Sequence, residues 1–284
     1  MQLGIFAKTF PGNTAAAVLQ AVRAAGYRVA QYNMACSGLD AMPDFIPEGV
    51  DEAVAAAAHA SGVRLAAVSA TYNMIHPDPA VRGRGHASLR IIAGASRAMG
   101  TGLLTLCTGT RDPDDQWRRH PDNGAPEAWR DLLASMEVAL AIADTYDVDL
   151  GIEPERANVV DSAARARQLL DELASPRVKI VIDPANLVET EPAQEQRRII
   201  AEAIDGLGDR IIMAHAKDRT TDGRFATAGK GVLDYPHYLR QIRAIGFDGP
   251  LIAHGLVEAE AAETARFLER EMAAAGFAAE EEGK

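Results

Sequence analysis

Short apolar segments alternate with longer, alanine-rich amphipathic segments along almost the whole chain. Eight of the short segments have a mostly apolar centre and do not alternate between polar and apolar residues, which is typical of parallel strands that are covered on both faces. These predicted strands are 3–8, 28–34, 64–74, 102–108, 149–155, 179–186, 210–218 and 251–254. The helices predicted after them lie near 13–25, 50–61, 79–99, 126–146, 161–174, 192–206, 234–245 and 256–275.

Local signals mark several ends of these predicted helices. Asn13 is expected to cap the first helix, and Asp161 or Ser162 the fifth, because short polar side chains bind free backbone N–H groups. Glycines directly after a helical segment favour the left-handed closing conformation. The glycines in such positions are Gly26, Gly62, Gly100 and Gly246.

Eight successive strand–helix units predict a single (β/α)8 TIM barrel over residues 1–277, with an acidic, disordered tail at 278–284. Neither a GxGxxG nor a GxxxxGK[ST] sequence follows the first strand, so the usual signal of an open nucleotide-binding sheet is missing. The segment 109–125 has no pattern of its own. With Trp117 and His120, it is expected to be a lid over a substrate.

Composition narrows the class of protein further. The 284 residues are 48% hydrophobic. Charged residues interrupt each apolar run before it reaches the length that a membrane span needs. No signal peptide is recognisable, and two cysteines, Cys36 and Cys107, cannot build a disulfide framework, so a cytoplasmic location is expected. The formal net charge of −11 argues against a nucleic-acid partner. A small molecule is the expected ligand.

Four successive predicted strands end in side chains that bind metals. Glu153, Asp183, His215 and His254 follow the fifth to eighth apolar runs, and in a barrel these carboxyl ends form the active-site rim. Carboxylates with imidazoles suit Mn²⁺ or Zn²⁺, while Co²⁺, Fe²⁺ or Mg²⁺ would also fit. The alternative is that these residues are unrelated helix caps and ion pairs. Their clustering favours the metal site.

The chain resembles the xylose-isomerase-like TIM barrels, a superfamily of sugar isomerases, 3-epimerases, hydroxypyruvate isomerase and inosose dehydratases. The resemblance covers essentially the whole chain and depends on several short motifs together. They are Ile152-Glu153-Pro154, Ile182-Asp183-Pro184-Ala185-Asn186, His215-Ala216-Lys217-Asp218, the segment 229–235 and the segment 246–252.

The resemblance implies one divalent cation held by Glu153, Asp183 and His215 and by a fourth residue at the position of His254, and the ligand chemistry makes Mn²⁺ the first choice. Relatives usually have glutamate at that fourth position, and often histidine at the position of Asn186. It also implies isomerisation or epimerisation of a sugar, keto-sugar or cyclitol through a metal-bound enediolate, with Glu153 and His254 as catalytic acid and base. His254 is either the fourth ligand or a free base.

Other functions stay open at this point. A lyase, either a keto-polyol dehydratase or an enzyme that cleaves 3-keto-glycosides, would use the same proton abstraction and is the second hypothesis. A non-catalytic sugar-binding barrel is a third. An apurinic-site endonuclease would need a richer metal cluster and a basic DNA-binding face, which the negative charge opposes.

Further polar residues near the strand ends are expected to contact a polyhydroxylated, unphosphorylated substrate. They are Asn33, Tyr72, Asn73, Thr108, Asn186, Lys217 and Arg219. Each has the alternative of merely packing a loop. Glu155 and Arg156 are interpreted as a solvent-exposed ion pair in preference to a substrate clamp. A homo-oligomer is compatible with the sequence, which shows no interface directly.

Overall fold

A computed structural model of the chain describes residues 1–277, and the predicted acidic tail at 278–284 lies outside these described residues. Eight parallel strands close into a barrel in the order β1-β8-β7-β6-β5-β4-β3-β2. They are β1 (Gln2–Phe6), β2 (Val29–Tyr32), β3 (Arg64–Ser69), β4 (Leu103–Cys107), β5 (Asp149–Glu153), β6 (Val178–Ile182), β7 (Ile211–Ala216) and β8 (Pro250–Ala253). The (β/α)8 barrel predicted from the apolar pattern is confirmed.

One long helix follows each strand and packs on the outside of the barrel. These are α1 (Ala15–Ala24), α2 (Val50–Ser61), α3 (Pro79–Ser96), α4 (Pro126–Tyr146), α5 (Ala163–Leu173), α6 (Ala193–Leu207), α7 (Tyr235–Ala244) and α8 (Glu258–Ala274). No helix among residues 1–277 is long and apolar enough to cross a membrane. Ser162 caps α5 as predicted, but the side chain that caps α1 is Thr14 and not Asn13.

All eight strands end earlier than predicted, the third and the sixth by the largest margins. β3 ends at Ser69, although the apolar run continues to residue 74. Met74 and Ile75 are nevertheless fully buried, because the loop after β3 packs into the protein. Burial of a loop therefore produced the same apolar signal as a strand.

The inside of the barrel is filled by a small layer of apolar side chains and two glycines. These residues are Gly4, Val29, Ala67, Leu103, Gly151, Val181, Met213 and Ile252. At Gly4 a Cβ atom would lie 2.6 Å from Ile252 Cδ1, so only glycine fits there. This layer closes the barrel below the rim on which the polar side chains lie.

Beyond β7 the chain forms a short hairpin, in which Asp218–Arg219 pairs with Phe225–Ala226. The buried Asp218 carboxylate accepts four backbone N–H bonds, from Arg219, Gly229, Gly231 and Leu233, at 2.8–3.1 Å. Asp218 therefore organises the loop 229–233.

Replacing Asp218 with Ala is expected to lower the free energy of unfolding by roughly 3 kcal/mol, because four donors lose a charged acceptor. Urea unfolding followed by circular dichroism measures this change. Asp222→Ala, which changes an exposed carboxylate in the same hairpin, is the matched control and should stay within ~0.5 kcal/mol. Equal stability of the two variants would show that Asp218 does not hold the loop.

Candidate metal centre and substrate cavity

Each functional side chain on a strand lies two residues after an inward-facing position of the same strand. Successive side chains of a strand point to opposite faces, so a residue two positions further on also points into the barrel. The residues in this position are Phe6, Gln31, Ser69, Thr105, Glu153, Asp183, His215 and His254. The strand period therefore aims two imidazoles, two carboxylates and an amide at one central space.

Three of these side chains form a group that could hold a metal ion. Ligand atoms of Glu153, Asp183 and His215 all lie within 4.8 Å of one another, and all three residues are buried. His215 Nδ1 lies 3.1 Å from Glu153 Oε1 and 3.7 Å from Asp183 Oδ2. Among residues 1–277 no other three histidine, cysteine or carboxylate side chains bring their ligand atoms this close together. His254 is not part of the group.

Asp183 combines a helix cap with a free ligand atom. Its Oδ1 accepts the backbone N–H of Ala185 at 2.9 Å and caps the one-turn helix Pro184–Leu187. Its Oδ2 is buried and accepts no hydrogen bond, although Lys217 Nζ lies 3.1 Å away. A buried carboxylate oxygen is costly unless it is paired or coordinates a cation. The ion pair with Lys217 offsets part of this cost, and because Oδ2 accepts no hydrogen bond it can also serve as a ligand atom for a cation. The other oxygen, Oδ1, acts as the helix cap that the sequence left open as the alternative.

Both ring nitrogens of His215 have polar partners, Glu153 at Nδ1 and Gln31 at Nε2. Its Nε2 lies 2.8 Å from Gln31 Oε1, and Gln31 Nε2 donates to Thr105 Oγ1 at 3.0 Å. Burial lowers the pKa of His215, but Glu153 and Asp183 outweigh it and raise the pKa to about 9. At neutral pH the imidazole of the metal-free protein thus carries a proton on both nitrogens, and a cation held at Nδ1 would displace the proton there.

Lys217 and Asn186 are hydrogen-bonded to each other and to the metal-binding candidates. Lys217 Nζ donates to Asn186 Oδ1 at 2.7 Å, and Asn186 Nδ2 donates to Glu153 Oε1 at 2.6 Å. Burial acts against the charged form of Glu153, but His215 and then Lys217 hold its pKa below the ordinary value. Asp183 is likewise kept ionised by Lys217. Two carboxylates balance the charges of Lys217 and of protonated His215 in the metal-free protein, and loss of the His215 proton would leave a net negative centre that favours a cation.

His254 stacks between Phe6 and His215, with ring centroids 4.8 Å and 5.0 Å away. Its Nδ1 is buried and has no hydrogen-bond partner. Burial, followed by His215 and Lys217, lowers its pKa to about 3, so the ring is neutral. A neutral imidazole with an unused nitrogen suits either a ligand or a base.

A cavity of about 530 Å³ opens above this centre. Glu153, His254, Lys217 and Asn186 line its base, and Trp117 and Phe225 are half-exposed at its mouth. Phe225 lies under two cations, with Lys217 Nζ 4.0 Å and Arg219 Cζ 3.8 Å from the ring centroid. The predicted lid 109–125 thus contributes Trp117, whereas its His120 caps the short helix Pro121–Gly124.

The predicted substrate contacts divide into two groups in the structure. Asn33, Asn186 and Lys217 line the cavity. Tyr72 and Asn73 line a neighbouring groove instead. Asn73, Thr108 and Arg219 form hydrogen bonds that hold loops together.

Asn73 Oδ1 accepts the N–H groups of Ile75 and Thr110, and Thr108 is fully buried with its hydroxyl accepting from Val160 N–H. Arg219 Nε donates to the carbonyl oxygen of Ala185. Polar side chains that pin loops carry the same sequence signal as those that face a ligand.

The interpretation of Glu155 and Arg156 as an exposed ion pair is wrong. Glu155 is 8% exposed and lines the cavity, whereas Arg156 pairs with Glu191. Burial, followed by repulsion from Glu153, raises the pKa of Glu155 to about 7. Glu155 lies two positions after Glu153, and both side chains line the same cavity.

The raised pKa of Glu155 predicts a pH dependence of stability in metal-free protein. Between the unfolded value near 4.5 and the folded value near 7 the folded state binds more protons, so stability falls as pH rises through this window. Wild type should lose roughly 3 kcal/mol across it relative to Glu155→Gln. Urea unfolding of both proteins in EDTA, at steps of about one pH unit from roughly 4.5 to 7.5, measures the difference between their free energies of unfolding. Parallel curves for the two proteins would contradict the shift.

Solved structures with the same architecture are numerous. The chain is 17% identical to a 3-keto-D-glucoside 4-epimerase from E. coli, with a TM-score of 0.76 over 95% of this chain and 99% of that one. It is 19% identical to a D-allulose 3-epimerase from Methylomonas sp. in complex with D-allulose, with a TM-score of 0.67 over 98% and 94%. At such identities the similarity shows the fold alone.

A third similar structure, the IOLI protein with a bound zinc atom, is 14% identical, with a TM-score of 0.73 over 96% of this chain and 98% of that one. A search of curated protein sequences finds no significant match. The family profile described as xylose isomerase-like TIM barrel matches residues 19–271, which is most of the chain. The protein therefore belongs to the xylose isomerase-like TIM barrel family.

Proposed function

We propose that this protein is a divalent-metal-dependent isomerase or epimerase of a sugar, keto-sugar or cyclitol. The observation that carries the proposal is the buried group of Glu153, Asp183 and His215, with ligand atoms within 4.8 Å, at the base of a polar cavity. Membership of the family and the sugar substrates named for similar structures support the same class.

The residues present fit a divalent cation. Glu153, Asp183 and His215 would hold it, with Asp183 Oδ2, which accepts no hydrogen bond, and His215 Nδ1 among the ligand atoms. His254 would be the fourth ligand through its unpaired nitrogen, unless it acts as a free base. One imidazole with two carboxylates suits Mn²⁺, our first choice, and also Zn²⁺, Co²⁺, Fe²⁺ or Mg²⁺. When bound, such a cation polarises a substrate carbonyl and acidifies the neighbouring C–H bond.

Two side chains in the cavity are suited to move the proton. Glu153 is ionised and lines the cavity, so its carboxylate accepts a proton from carbon and returns it. His254 is neutral with an unused nitrogen and provides the second proton-transfer group when it is not a ligand. Return of the proton to the neighbouring carbon isomerises the sugar, and return to the opposite face of the same carbon epimerises it.

The remaining cavity residues are suited to bind and orient a polyol. Lys217 and Asn186 supply donors beside Glu153, and Asn33 supplies a further amide. The half-exposed Trp117 offers an apolar face against which a sugar ring packs and which excludes water from its far side. This combination of oriented donors and apolar walls is typical of pockets for small polar ligands.

Glu155 specifically favours the second candidate function, a lyase. Its buried carboxyl group has a pKa of about 7 and lines the same cavity, so at neutral pH a large fraction is protonated. A protonated carboxyl group can donate a proton to a departing hydroxyl or glycosidic oxygen after the same α-proton abstraction. A lyase releases a fragment or water, whereas an isomerase leaves the mass of its substrate unchanged.

Exchange with solvent tests the proposal directly. Protein loaded with Mn²⁺ is incubated in D₂O with D-allulose, D-fructose, L-ribulose and a 3-keto-glucoside, and deuterium at carbon is followed by NMR. Exchange with unchanged product mass, apart from the deuterium, supports an isomerase or epimerase, and loss of a fragment supports the lyase. Absence of exchange and of any bound metal by elemental analysis would favour a non-catalytic binding barrel.

The same proposal includes a cytoplasmic location and a small-molecule partner. Cys36 and Cys107 are both free and buried in the structure, as suits a reducing compartment. The net charge of −11 supports a ligand other than nucleic acid.

A further inference from the structure

Gln31 is a buried amide in the middle of the barrel that contacts two strands to which β2 is not paired. Its Oε1 lies 2.8 Å from His215 Nε2 on β7, and its Nε2 donates to Thr105 Oγ1 on β4 at 3.0 Å. Gln31 is 3% exposed and Thr105 2%, so both bonds lie away from bulk solvent. The three side chains form a hydrogen-bonded line across the barrel interior.

The chemistry of this line determines which His215 nitrogen is available. A carbonyl oxygen only accepts, so Gln31 Oε1 requires a proton on His215 Nε2. A neutral imidazole has one proton, and keeping it on Nε2 leaves the lone pair on Nδ1. Nδ1 is the nitrogen beside Glu153 and Asp183, at 3.1 Å and 3.7 Å. The opposite tautomer would turn an N–H toward the cation.

We propose that Gln31, oriented by Thr105, is a positioning residue that holds His215 as the tautomer whose Nδ1 lone pair faces the cation. The inference rests on the proposed metal centre and assigns it a supporting residue on β2. Metal-binding histidines commonly donate their second N–H to a carboxylate, a carbonyl or water, and losing that partner weakens metal binding about 10–100-fold. An amide does this without adding negative charge to a centre that already holds Glu153 and Asp183.

Metal affinity of the purified full-length protein tests the proposal. Mn²⁺ and, separately, Zn²⁺ are titrated by calorimetry into EDTA-treated protein. Gln31→Met has a similar volume but no acceptor and should bind about 10–100-fold more weakly than wild type. Gln31→Glu keeps an acceptor and should bind at least as tightly as wild type. Thr105→Val should lower metal affinity less than Gln31→Met does. Thr105→Ser keeps the hydroxyl group and should bind metal as wild type does.

A matched control separates positioning from packing. Val29 lies two residues before Gln31 on the same strand and belongs to the same inner face, so Val29→Ala disturbs barrel packing without removing a polar contact. It should lower the Tm of the metal-free protein and leave metal affinity unchanged. Wild-type affinity in Gln31→Met, or equal loss in Gln31→Met and Gln31→Glu, would overturn the inference. Absence of metal binding by wild type would instead overturn the proposed function.

Discussion

Replacing Glu153 with Gln is expected to lower deuterium exchange at the substrate carbon by about 10²- to 10⁴-fold, because an amide cannot accept the proton. The fold should persist. Glu153 Oε1 accepts from Asn186 Nδ2 and from His215 Nδ1, and an amide oxygen of the same shape can accept both bonds. The measurement is the exchange rate by NMR in D₂O with saturating Mn²⁺, so that weaker metal binding does not limit the rate.

Glu172→Gln is the control for this experiment. It makes the same chemical change at a carboxylate on α5 that binds Trp129 Nε1 and lies outside the cavity. It should retain the wild-type exchange rate. Undiminished exchange in Glu153→Gln would remove Glu153 from the proton-transfer step and leave His254 as the remaining candidate base.

Replacing Asp183 with Asn should abolish the response of the protein to metal while preserving its helix cap. Asparagine caps helices as well as aspartate does, so the bond from Ala185 N–H to Oδ1 is retained. The second oxygen, which has no hydrogen-bond partner in the structure, is replaced by an NH₂ group that cannot bind a cation. Metal affinity is expected to fall by more than ~100-fold, beyond the effect of losing a supporting residue.

Thermal unfolding with and without MnCl₂ measures this effect. At a free metal concentration of about 100 times the Kd, wild type should gain about 2.7 kcal/mol of stability, and Asp183→Asn should gain almost nothing. Asp183→Ala removes both the cap and the ligand, so it should in addition unfold more easily without metal. An equal gain in wild type and Asp183→Asn would show that Asp183 acts only as a cap.

The grouping of Glu153, Asp183 and His215 could be predicted because each follows an apolar run at the end of a strand. The sequence Ile180-Val181-Ile182 before Asp183 indicates both a buried strand and its carboxyl end, and the corresponding runs precede Glu153 and His215. Gln31 and Thr105 were missed, since each is a single polar residue inside an otherwise apolar strand. The strand period offers the signal that could have found them: each lies two residues after an inward-facing apolar residue.

Other residues could not be assigned from the sequence because side-chain direction after a strand depends on the loop. Glu155 lies beside Arg156 in the chain, yet its side chain turns into the cavity while Arg156 reaches Glu191. Asn73 and Thr108 hold loops by hydrogen bonds that a linear pattern does not reveal.

The sequence by itself determined the alternation of strands and helices and the parity of inward-facing residues, because both follow from hydrophobic periodicity that each segment carries locally. Only the tertiary structure decided which inward-facing groups meet. Gln31 and His215 are separated by 184 positions in the chain, yet their polar atoms lie 2.8 Å apart. That distance depends on the closure and register of all eight strands, which no single segment encodes.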